Sequence, residues 1–258
     1  MEDLLEIGGK KIACRLFLGT GKYAGNAQMR EALLAAQADV VTVALRRVES
    51  GAMAESILDY IPPSCTVMIN TSGARNAAEA VRIARLARAS GAGDWIKIEV
   101  IADSRYLLPD NLETLKATET LVKEGFITFP YMSPDLSMAR RMADCGAAAV
   151  MPLGSPIGTN RGVRTRELVE ILIREISVPI IVDAGLGKPS DACQCMEMGC
   201  AAVMVNTAVA VAPDPVEFAR AFSLAVKAGR LAYRTGMPGS AAEARASSPL
   251  TGFLRDHD

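Results

Sequence analysis

The stretch Trp95-Ile96-Lys97-Ile98-Glu99-Val100-Ile101 predicts a β-strand that carries two ionisable side chains inside an apolar segment. Side chains of a strand alternate between its two faces, so Trp95, Lys97 and Glu99 share one face. The aliphatic residues between them share the other face, which is expected to pack against helices. Lys97 and Glu99 then point into the interior of the sheet structure, about 6.5–7 Å apart along the strand.

Short apolar or β-branched runs recur on both sides of this stretch, each followed by a turn and an amphipathic segment. The predicted strands are Arg15–Leu18, Val40–Leu45, Thr66–Asn70, Trp95–Ile101, Ile127–Pro130, Ala148–Met151, Ile180–Asp183 and Ala202–Asn206. The predicted helices are Asn26–Ala36, Ser50–Tyr60, Ala74–Ser90, Asn111–Lys123, Pro134–Cys145, Thr165–Ile176, Pro189–Met198 and Pro215–Ala228. Strict alternation of strands and helices indicates a parallel sheet covered by helices.

Eight such units in a chain of 258 residues favour a closed (β/α)8 TIM barrel in the α/β class. An open doubly wound sheet is the alternative, but the first turn, Gly19-Thr20-Gly21-Lys22-Tyr23-Ala24, does not fit the Gly-x-Gly-x-x-Gly pattern typical of it. We expect one domain over residues 1–258, with a C-terminal tail from about residue 229. Gly8-Gly9 predicts a tight hairpin ahead of the first barrel strand.

The charge balance excludes several classes of function. The chain has 28 Lys and Arg residues against 29 Asp and Glu residues, which gives a net charge of −1 and no basic patch typical of nucleic-acid or anionic-membrane binding. No apolar run approaches the roughly 20 residues of a membrane span, and the acidic start Met1–Glu6 lacks the basic region of a signal peptide. We therefore expect a cytoplasmic protein.

The histidine and cysteine content limits the available chemistry. The single histidine is His257, so a Ser-His-Asp or Cys-His triad is not expected in the body of the chain. Six cysteines are present without a Cys-x-x-Cys pair, and we interpret them, including Cys193, Cys195 and Cys200, as buried free thiols rather than metal ligands. We expect neither a metal nor a cofactor.

Lys97 is the strongest candidate for a catalytic residue. In a barrel of this kind, the active site lies at the carboxyl ends of the strands. Burial lowers the pKa of a lysine, and a lowered pKa supplies the free amine that a Schiff base needs. Glu99 would then move protons at the carbon beside the imine. A structural ion pair inside the barrel is the other interpretation, and the spacing of the two residues is compatible with both.

Three segments at the same end of the predicted barrel indicate a phosphate site. They are the turn Gly154–Gly162 after the sixth strand, Asp183–Gly187 after the seventh, and Asn206-Thr207 at the end of the eighth. Small residues let backbone N–H groups approach an anion, and loops after strands seven and eight commonly bind phosphate in these barrels. Asp183 is either a second acid–base group or a residue that caps a helix or makes a hydrogen bond within the turn.

Other polar residues at the strand ends are weaker candidates. Arg46-Arg47 is interpreted as a structural or subunit-interface pair, with binding of a substrate anion as the alternative. Tyr131 and Asn70 are expected to make ordinary hydrogen bonds in loops. Thr20 and Lys22 are expected in a solvated loop, with a mobile lid as the alternative.

Several long motifs now carry a resemblance to a known family. They are Trp95–Ile101, Met151–Gly158, Val182–Ser190 and Val205–Ala208, and the likeness runs from Leu18-Gly19-Thr20-Gly21-Lys22-Tyr23 to Ser247-Ser248-Pro249. In this order they resemble the bacterial thiazole synthase of thiamine biosynthesis. That family is a (β/α)8 barrel, in agreement with the fold expected from the alternation of strands and helices.

The resemblance implies a substrate set and site residues. It implies synthesis of thiazole phosphate from 1-deoxy-D-xylulose 5-phosphate, dehydroglycine and sulfur carried as a thiocarboxylate on a small sulfur-carrier protein. It implies that Lys97 forms the Schiff base and that Glu99 and Asp183 are acid–base groups. Binding of the phosphosugar is implied for Gly158, Ala184, Gly185, Asn206 and Thr207. A dehydroglycine-producing enzyme and homo-oligomeric assembly are also implied.

One segment departs from the family pattern, and alternatives stay open. After Gly158 the loop reads Thr159-Asn160-Arg161-Gly162 where small residues are expected, which puts the detailed phosphate contacts in doubt. A related sulfur-transfer enzyme acting on another phosphosugar, a 2-thiosugar synthase, is the nearest alternative. More distant ones are a class I aldolase barrel, which needs no sulfur donor, and a non-catalytic barrel that only binds the carrier protein.

Overall fold

The computed structural model describes residues 3–44, 56–244 and 247. An antiparallel hairpin comes first, with β1 at Leu5–Ile7 and β2 at Lys10–Ile12. Gly8 and Gly9 form its turn at φ 53° and 76°, a conformation that favours glycine and matches the twist of a two-residue hairpin. The predicted hairpin is therefore confirmed. Its apolar residues join the cluster inside the barrel, so the hairpin covers the amino end of the barrel.

Eight parallel strands follow and form a single sheet. They are β3 Leu16–Gly19, β4 Val40–Ala44, β5 Thr66–Asn70, β6 Trp95–Ile98, β7 Ile127–Met132, β8 Met151–Pro152, β9 Ile181–Val182 and β10 Ala202–Val205. Their order in the sheet is β8-β7-β6-β5-β4-β3-β10-β9. Neighbouring strands of the sheet follow one another in the chain, except for β10 and β3, the last and first barrel strands, which pair with each other.

The two ends of this sheet also meet each other. Parallel bridges join Val150 to Ile180 and Leu153 to Asp183, on either side of β8 and β9. The Ile181 N–H donates to the Val150 carbonyl at 3.0 Å. These bonds close the sheet into a ring, so the predicted (β/α)8 TIM barrel is confirmed and the open doubly wound sheet is excluded.

Helices surround the ring and alternate with the strands. They are α1 Asn26–Ala36, α2 Ala77–Ala89, α3 Asn111–Lys123, α4 Leu136–Asp144, α5 Arg166–Glu175, α6 Pro189–Glu197, α7 Thr207–Ala210 and α8 Pro215–Thr235. No helix within the described ranges is long and apolar enough to cross a membrane.

Several helix boundaries differ from the predictions by one to three residues, and three differences are larger. The last helix reaches Thr235 rather than Ala228. The short α7 begins at Thr207, where a loop was expected, because four residues give too short a pattern to show helical periodicity. Of the predicted helix Ser50–Tyr60, residues 50–55 lie outside the described residues, and Ile57–Tyr60 form one 3-10 turn.

The predicted division of β6 into two faces is confirmed. Ile96, Ile98 and Val100 belong to the large apolar cluster between the strands and the helices. Trp95 belongs to the second cluster, inside the ring, where its ring lies 4.8 Å from that of Phe129. Lys97 and Glu99 share the inner face with Trp95, so both point into the barrel at its carboxyl end.

Candidate active site

Three buried ionisable side chains meet at the carboxyl end of the barrel. Lys97 lies on β6, Glu99 follows that strand, and Asp183 follows β9, three strands away around the ring. Their exposed fractions are 5%, 7% and 5%. Lys97 Nζ is in direct contact with Asp183 Oδ2 and lies 3.7 Å from Glu99 Oε2. The structure thus places one buried cation between two buried carboxylates.

Neighbouring residues fix the position of Glu99. Asn70 Nδ2 donates to Glu99 Oε2 at 3.1 Å, and Asn70 Oδ1 accepts the Ser72 N–H at 2.9 Å. The Thr71 hydroxyl accepts the Glu99 N–H at 2.8 Å and donates to the Glu99 carbonyl at 3.0 Å. Asn70, expected to play an ordinary role in a loop, therefore orients one of the central carboxylates.

Asp183 does not cap a helix. Its Oδ1 accepts the N–H of Ala184 at 2.7 Å, and its Oδ2 faces Lys97. The backbone turns sharply after it, since Ala184 has φ 62° and Gly185 has φ 78°. A residue other than glycine in this region is uncommon, and such strain is concentrated at functional sites.

The pKa values of Lys97 and Asp183 correct the prediction of a lowered pKa for Lys97. Burial is the largest influence on the pKa of Lys97 and lowers it, but the carboxylates of Asp183 and Glu99 together outweigh burial. The net pKa of Lys97 is raised, whereas burial alone predicted a lowered value. Burial raises the pKa of Asp183, and Lys97 only partly offsets this effect. The resting state holds a stabilised ammonium group beside a carboxylate that accepts a proton more readily than an exposed one.

Tyr131 forms part of the surroundings of Lys97 and does not lie in a loop as predicted. It belongs to β7, and its ring centre lies 5.1 Å from Lys97 Nζ. Its hydroxyl is buried and has no hydrogen-bond partner among the described residues. Burial raises the pKa of this phenol, and the charges of Asp183 and Glu99 raise it further. Tyr131 therefore stays neutral and presents the face of its ring to the lysine.

A cavity of about 160 Å³ opens above these groups. All residues predicted to bind the phosphosugar line it, together with the three ionisable residues. The lining is Thr42, Asn70, Ser72, Lys97, Glu99, Ile157, Gly158, Asn160, Asp183, Ala184, Gly185, Leu186, Met204, Val205, Asn206 and Thr207. The barrel thus brings the predicted site residues from four strand ends to one cavity.

The rim of the cavity offers backbone donors. The N–H groups of Gly158 and Gly185 have no acceptor within the described parts of the chain. A side chain at Gly185 would clash with Ser155 Oγ, so the close approach of these two loops requires glycine. Open backbone N–H groups beside small residues are suited to an anion.

Two glycines, Gly19 at the end of the first barrel strand and Gly21 in the turn after it, make room for Asn206 at the end of the eighth strand. A Cβ added at Gly19 would lie 2.6 Å from Asn206 Cβ, and one added at Gly21 would lie 2.8 Å from Asn206 Nδ2. Asn206 precedes α7 and sits against this turn. Sequence reasoning assigned no role to these glycines, because the contact joins the first and last strands of the ring.

The unusual loop after Gly158 contributes Asn160 to the cavity, and of the two roles open to Arg161, phosphate binding or a position facing solvent, the structure shows the second. Asn160, at φ 51°, lines the cavity, whereas Arg161 is exposed and does not. Arg46-Arg47 lies outside the described residues. The described residues include no group of histidine, cysteine or carboxylate side chains suited to a metal ion. Cys195 and Cys200 are buried free thiols, and Cys193 is half-buried.

The fold is a closed α/β barrel, and a buried lysine lies between two carboxylates at the carboxyl ends of its strands. This position and these side chains are those of the active site of a (β/α)8 barrel enzyme. The sequence profile of the thiazole biosynthesis protein ThiG matches residues 6–249. The chain is 66% identical to the thiazole synthase of Pelotomaculum thermopropionicum over 99% of this chain and 100% of that protein. It is 64% identical to the thiazole synthase of Acetivibrio thermocellus over 99% and 100% of the two chains.

A solved structure supports the same assignment. A chain in the crystal structure of the BexX/CysO complex of Amycolatopsis orientalis superimposes with a TM-score of 0.82 at 33% identity, covering 92% of this chain and 98% of that one. The chain therefore belongs to the ThiG family of thiazole biosynthesis proteins, the sulfur-transferring thiazole synthases of thiamine biosynthesis.

Proposed function

We propose that this enzyme forms thiazole phosphate from 1-deoxy-D-xylulose 5-phosphate, dehydroglycine and sulfur from a thiocarboxylated carrier protein, through an imine on Lys97. The observation that carries the proposal is the position of Lys97 Nζ, which contacts Asp183 Oδ2 and lies 3.7 Å from Glu99 Oε2. A structural ion pair needs only one carboxylate and no cavity. Here two carboxylates flank the amine at the floor of an open cavity.

Asp183 is proposed to activate the lysine. The ammonium form of Lys97 cannot attack a ketone, so one proton must leave Nζ first. Asp183 Oδ2 is in contact with that nitrogen. Burial raises the pKa of the Asp183 carboxyl above its usual value, which makes the carboxylate a better proton acceptor. The amine then adds to the ketone carbon. The carbinolamine expels its hydroxyl as water when Asp183 returns the proton, and a C=N bond replaces the C=O bond.

Glu99 is proposed to move protons on the carbon skeleton after imine formation. Its carboxylate lies close enough to Nζ to reach a carbon bonded to the imine carbon, and Asn70 holds it in place. Removal of a proton from that carbon converts the imine into an enamine, in which the nitrogen takes up the electron pair. Asp183 and Glu99 then serve the later dehydrations as an acid–base pair.

The sugar phosphate is proposed to lie at the rim of the cavity. Gly158, Ala184-Gly185 and Asn206-Thr207 line the cavity there, and the donors are the open N–H groups of Gly158 and Gly185 and the side chains of Asn206 and Thr207. An extended five-carbon phosphosugar needs its ketone at the lysine and its phosphate at the other end of the molecule. Lys97 and the proposed phosphate-binding residues line the same cavity, which supports this arrangement.

Partners complete the proposal. The related chain from Amycolatopsis orientalis occurs in a complex with CysO, which supports a second protein at this barrel as well. The proposal also includes four properties expected for the family. They are a sulfur-carrier protein thiocarboxylate as partner, a dehydroglycine-producing enzyme, homo-oligomeric assembly and a cytoplasmic location. Identities of 64–66% with thiazole synthases favour a thiazole product over the 2-thiosugar alternative.

Mass spectrometry of borohydride-reduced protein tests the central step. The wild-type enzyme, incubated with 1-deoxy-D-xylulose 5-phosphate and reduced, is expected to carry one sugar adduct, and peptide mapping is expected to place it on Lys97. The variant Lys97→Ala is expected to carry none and to lose thiazole formation by at least about a thousandfold, as is typical when a covalent nucleophile is removed.

Two controls separate specific from incidental labelling. Lys123→Ala removes an exposed lysine at the end of α3 and is expected to leave the adduct unchanged. Glucose 6-phosphate in place of the deoxyxylulose phosphate is expected to give no adduct. An adduct on another residue, or normal thiazole formation by Lys97→Ala, would refute the imine mechanism.

A further inference from the structure

We propose that Lys22 binds the substrate phosphate as the cationic arm of the cavity rim. This inference rests on the proposed phosphosugar substrate, because it assigns the residue that recognises its charged end. The sequence predicts that Thr20 and Lys22 lie in a solvated loop; Thr20 is buried instead, whereas Lys22 is exposed as predicted. Four structural observations support a role for the exposed Lys22 side chain at the rim of the cavity.

The loop that carries Lys22 is fixed on both sides. The Thr20 hydroxyl is buried and donates to the Thr42 carbonyl at 3.0 Å, which attaches the loop to the neighbouring strand β4. Tyr23 packs against the main apolar cluster. Gly21 lies against Asn206. Lys22 therefore extends from an anchored turn, and less conformational entropy is lost when its side chain engages a ligand.

The backbone of Lys22 is held in a sparsely populated conformation. Its φ is 70°, in the left-handed region that few residues other than glycine adopt. An asparagine or glycine would relieve the strain if the position served only to turn the chain. A lysine at a strained backbone position beside a substrate cavity indicates that the side chain is needed there.

The ammonium group of Lys22 lies next to the predicted phosphate loop. A Cβ built on Gly158 would lie 3.4 Å from Lys22 Nζ and 3.8 Å from Thr207 Oγ1. The lysine from the first strand end and the hydroxyl from the eighth therefore converge on one point above Gly158. The open N–H of Gly158 is at the same place. A phosphate oxygen there would meet an ammonium group, a hydroxyl group and a backbone donor.

The charges of the cavity leave Lys22 available for an anion. Within the described residues, Lys22 forms no ion pair. The floor holds Lys97 with Glu99 and Asp183, a group with one net negative charge in its ionised form. A phosphate dianion entering above this floor is repelled unless a cation lies at the rim. Lys22 supplies that cation, because its ammonium group lies beside Gly158, which lines the cavity.

Comparison of phosphorylated and unphosphorylated sugar tests the assignment. The rate of borohydride-trapped Lys97 adduct formation is measured with 1-deoxy-D-xylulose 5-phosphate and with 1-deoxy-D-xylulose, in wild type and in Lys22→Met. Lys22→Met is expected to lose about tenfold to a hundredfold in the apparent second-order rate for the phosphorylated sugar, the range of one charge-assisted hydrogen bond. Half-saturation should rise while the maximal rate changes little, and the rate with the unphosphorylated sugar should stay the same.

Matched variants and outcomes complete the test. Lys22→Arg should restore most of the preference for the phosphorylated sugar, and Lys123→Met, an exposed lysine on α3, should resemble wild type. The unphosphorylated sugar also reports that Lys22→Met is folded and reactive. A wild-type preference retained by Lys22→Met overturns the role of Lys22 while the imine stands. Absence of any Lys97 adduct in wild type overturns the proposed function and this inference together.

Discussion

Lys97 Nζ and Asp183 Oδ2 are in direct contact across the interior of the barrel, although they come from strand ends that are separated by two other strands of the ring. Each changes the protonation of the other. The carboxylates of Asp183 and Glu99 raise the pKa of Lys97 against the opposing effect of burial, and burial raises the pKa of Asp183. In the resting state the proton therefore lies on Lys97, and burial makes the Asp183 carboxylate a better proton acceptor than an exposed one.

Asp183→Asn should lower the pKa of Lys97. Asp183 is the largest of the influences that raise this pKa, and an amide removes its charge while burial remains. The pKa can be followed from the Lys97 Cε signal in protein labelled with ¹³C-lysine. Glu31→Gln, which removes an exposed carboxylate on α1, should leave that signal unchanged. An identical Lys97 titration in Asp183→Asn and wild type would contradict the assigned cause.

Tyr131→Phe should stabilise the protein by about 1 kcal/mol, because the hydroxyl is buried and has no hydrogen-bond partner among the described residues to offset its desolvation. The melting temperature should rise by roughly 2–4 °C, as expected for a domain of this size. Thr71→Val is the matched contrast, since its hydroxyl makes two hydrogen bonds with the Glu99 backbone. It should destabilise by about 1–3 kcal/mol. A destabilised Tyr131→Phe in urea unfolding would show that the hydroxyl has an unseen partner, such as an ordered water.

Gly185→Ala should lower the free energy of unfolding more than Gly9→Ala, although the two glycines have nearly the same φ angle. Their φ values are 78° and 76°, but a Cβ at Gly185 clashes with Ser155 while a Cβ at Gly9 meets nothing within 4 Å. Gly9→Ala should lose about 1–2 kcal/mol from backbone strain alone. Gly185→Ala should lose a further 1–3 kcal/mol or so from overpacking. Urea unfolding measures both, and equal losses would show that the Ser155 loop yields easily.

Asp3→Asn should weaken the protein at neutral pH but not at strongly acidic pH. Asp3 pairs with Arg15 Nη2 at 3.1 Å and with Arg230 Nε at 2.8 Å, at the amino end of the barrel. The hydrogen bond from Arg230 is the main cause that lowers the pKa of Asp3 to about 2 from 3.8. Because the folded pKa is depressed, this stabilisation is present above pH 3.8 and is lost as the pH falls toward about 2.

The Asp3→Asn variant should lose about 1–2 kcal/mol at pH 7, since Arg15 is buried and loses its ionic partner. Urea unfolding at pH 7, 4 and 2.5 should show the difference from wild type shrinking only below pH 4. Glu31→Gln, an exposed carboxylate without an ion pair in the described structure, should show no such trend. A constant difference across this pH range would exclude an ionic cause.

Local patterns predicted the elements well where the pattern is strong. Strand Thr66–Asn70 and helices Asn26–Ala36 and Asn111–Lys123 were predicted with the observed boundaries. The inward direction of Lys97 followed from the alternation of side chains alone. Strands β8 and β9 were predicted longer than the two residues observed, because their ends pair through isolated bridges rather than continuous ladders.

Long-range contacts were beyond the reach of sequence reasoning. The pKa of Lys97 was predicted with the wrong sign because burial can be read from an apolar strand, whereas the opposing charge of Asp183 comes from across the ring. The burial of the Tyr131 hydroxyl and the contact of Asn206 with Gly19 depend on strands that are distant in the chain.

The sequence by itself determined the alternation of strands and helices, the number of units, and the face of β6 that carries Lys97 and Glu99. These properties depend on local periodicity, which each segment carries whatever its surroundings. Only the tertiary structure decided that Asp183 touches Lys97, that Asn70 holds Glu99, and that Lys22 stands over Gly158. Closing the ring sets these distances, and electrostatic and hydrogen-bond energies depend on distance rather than on position in the chain.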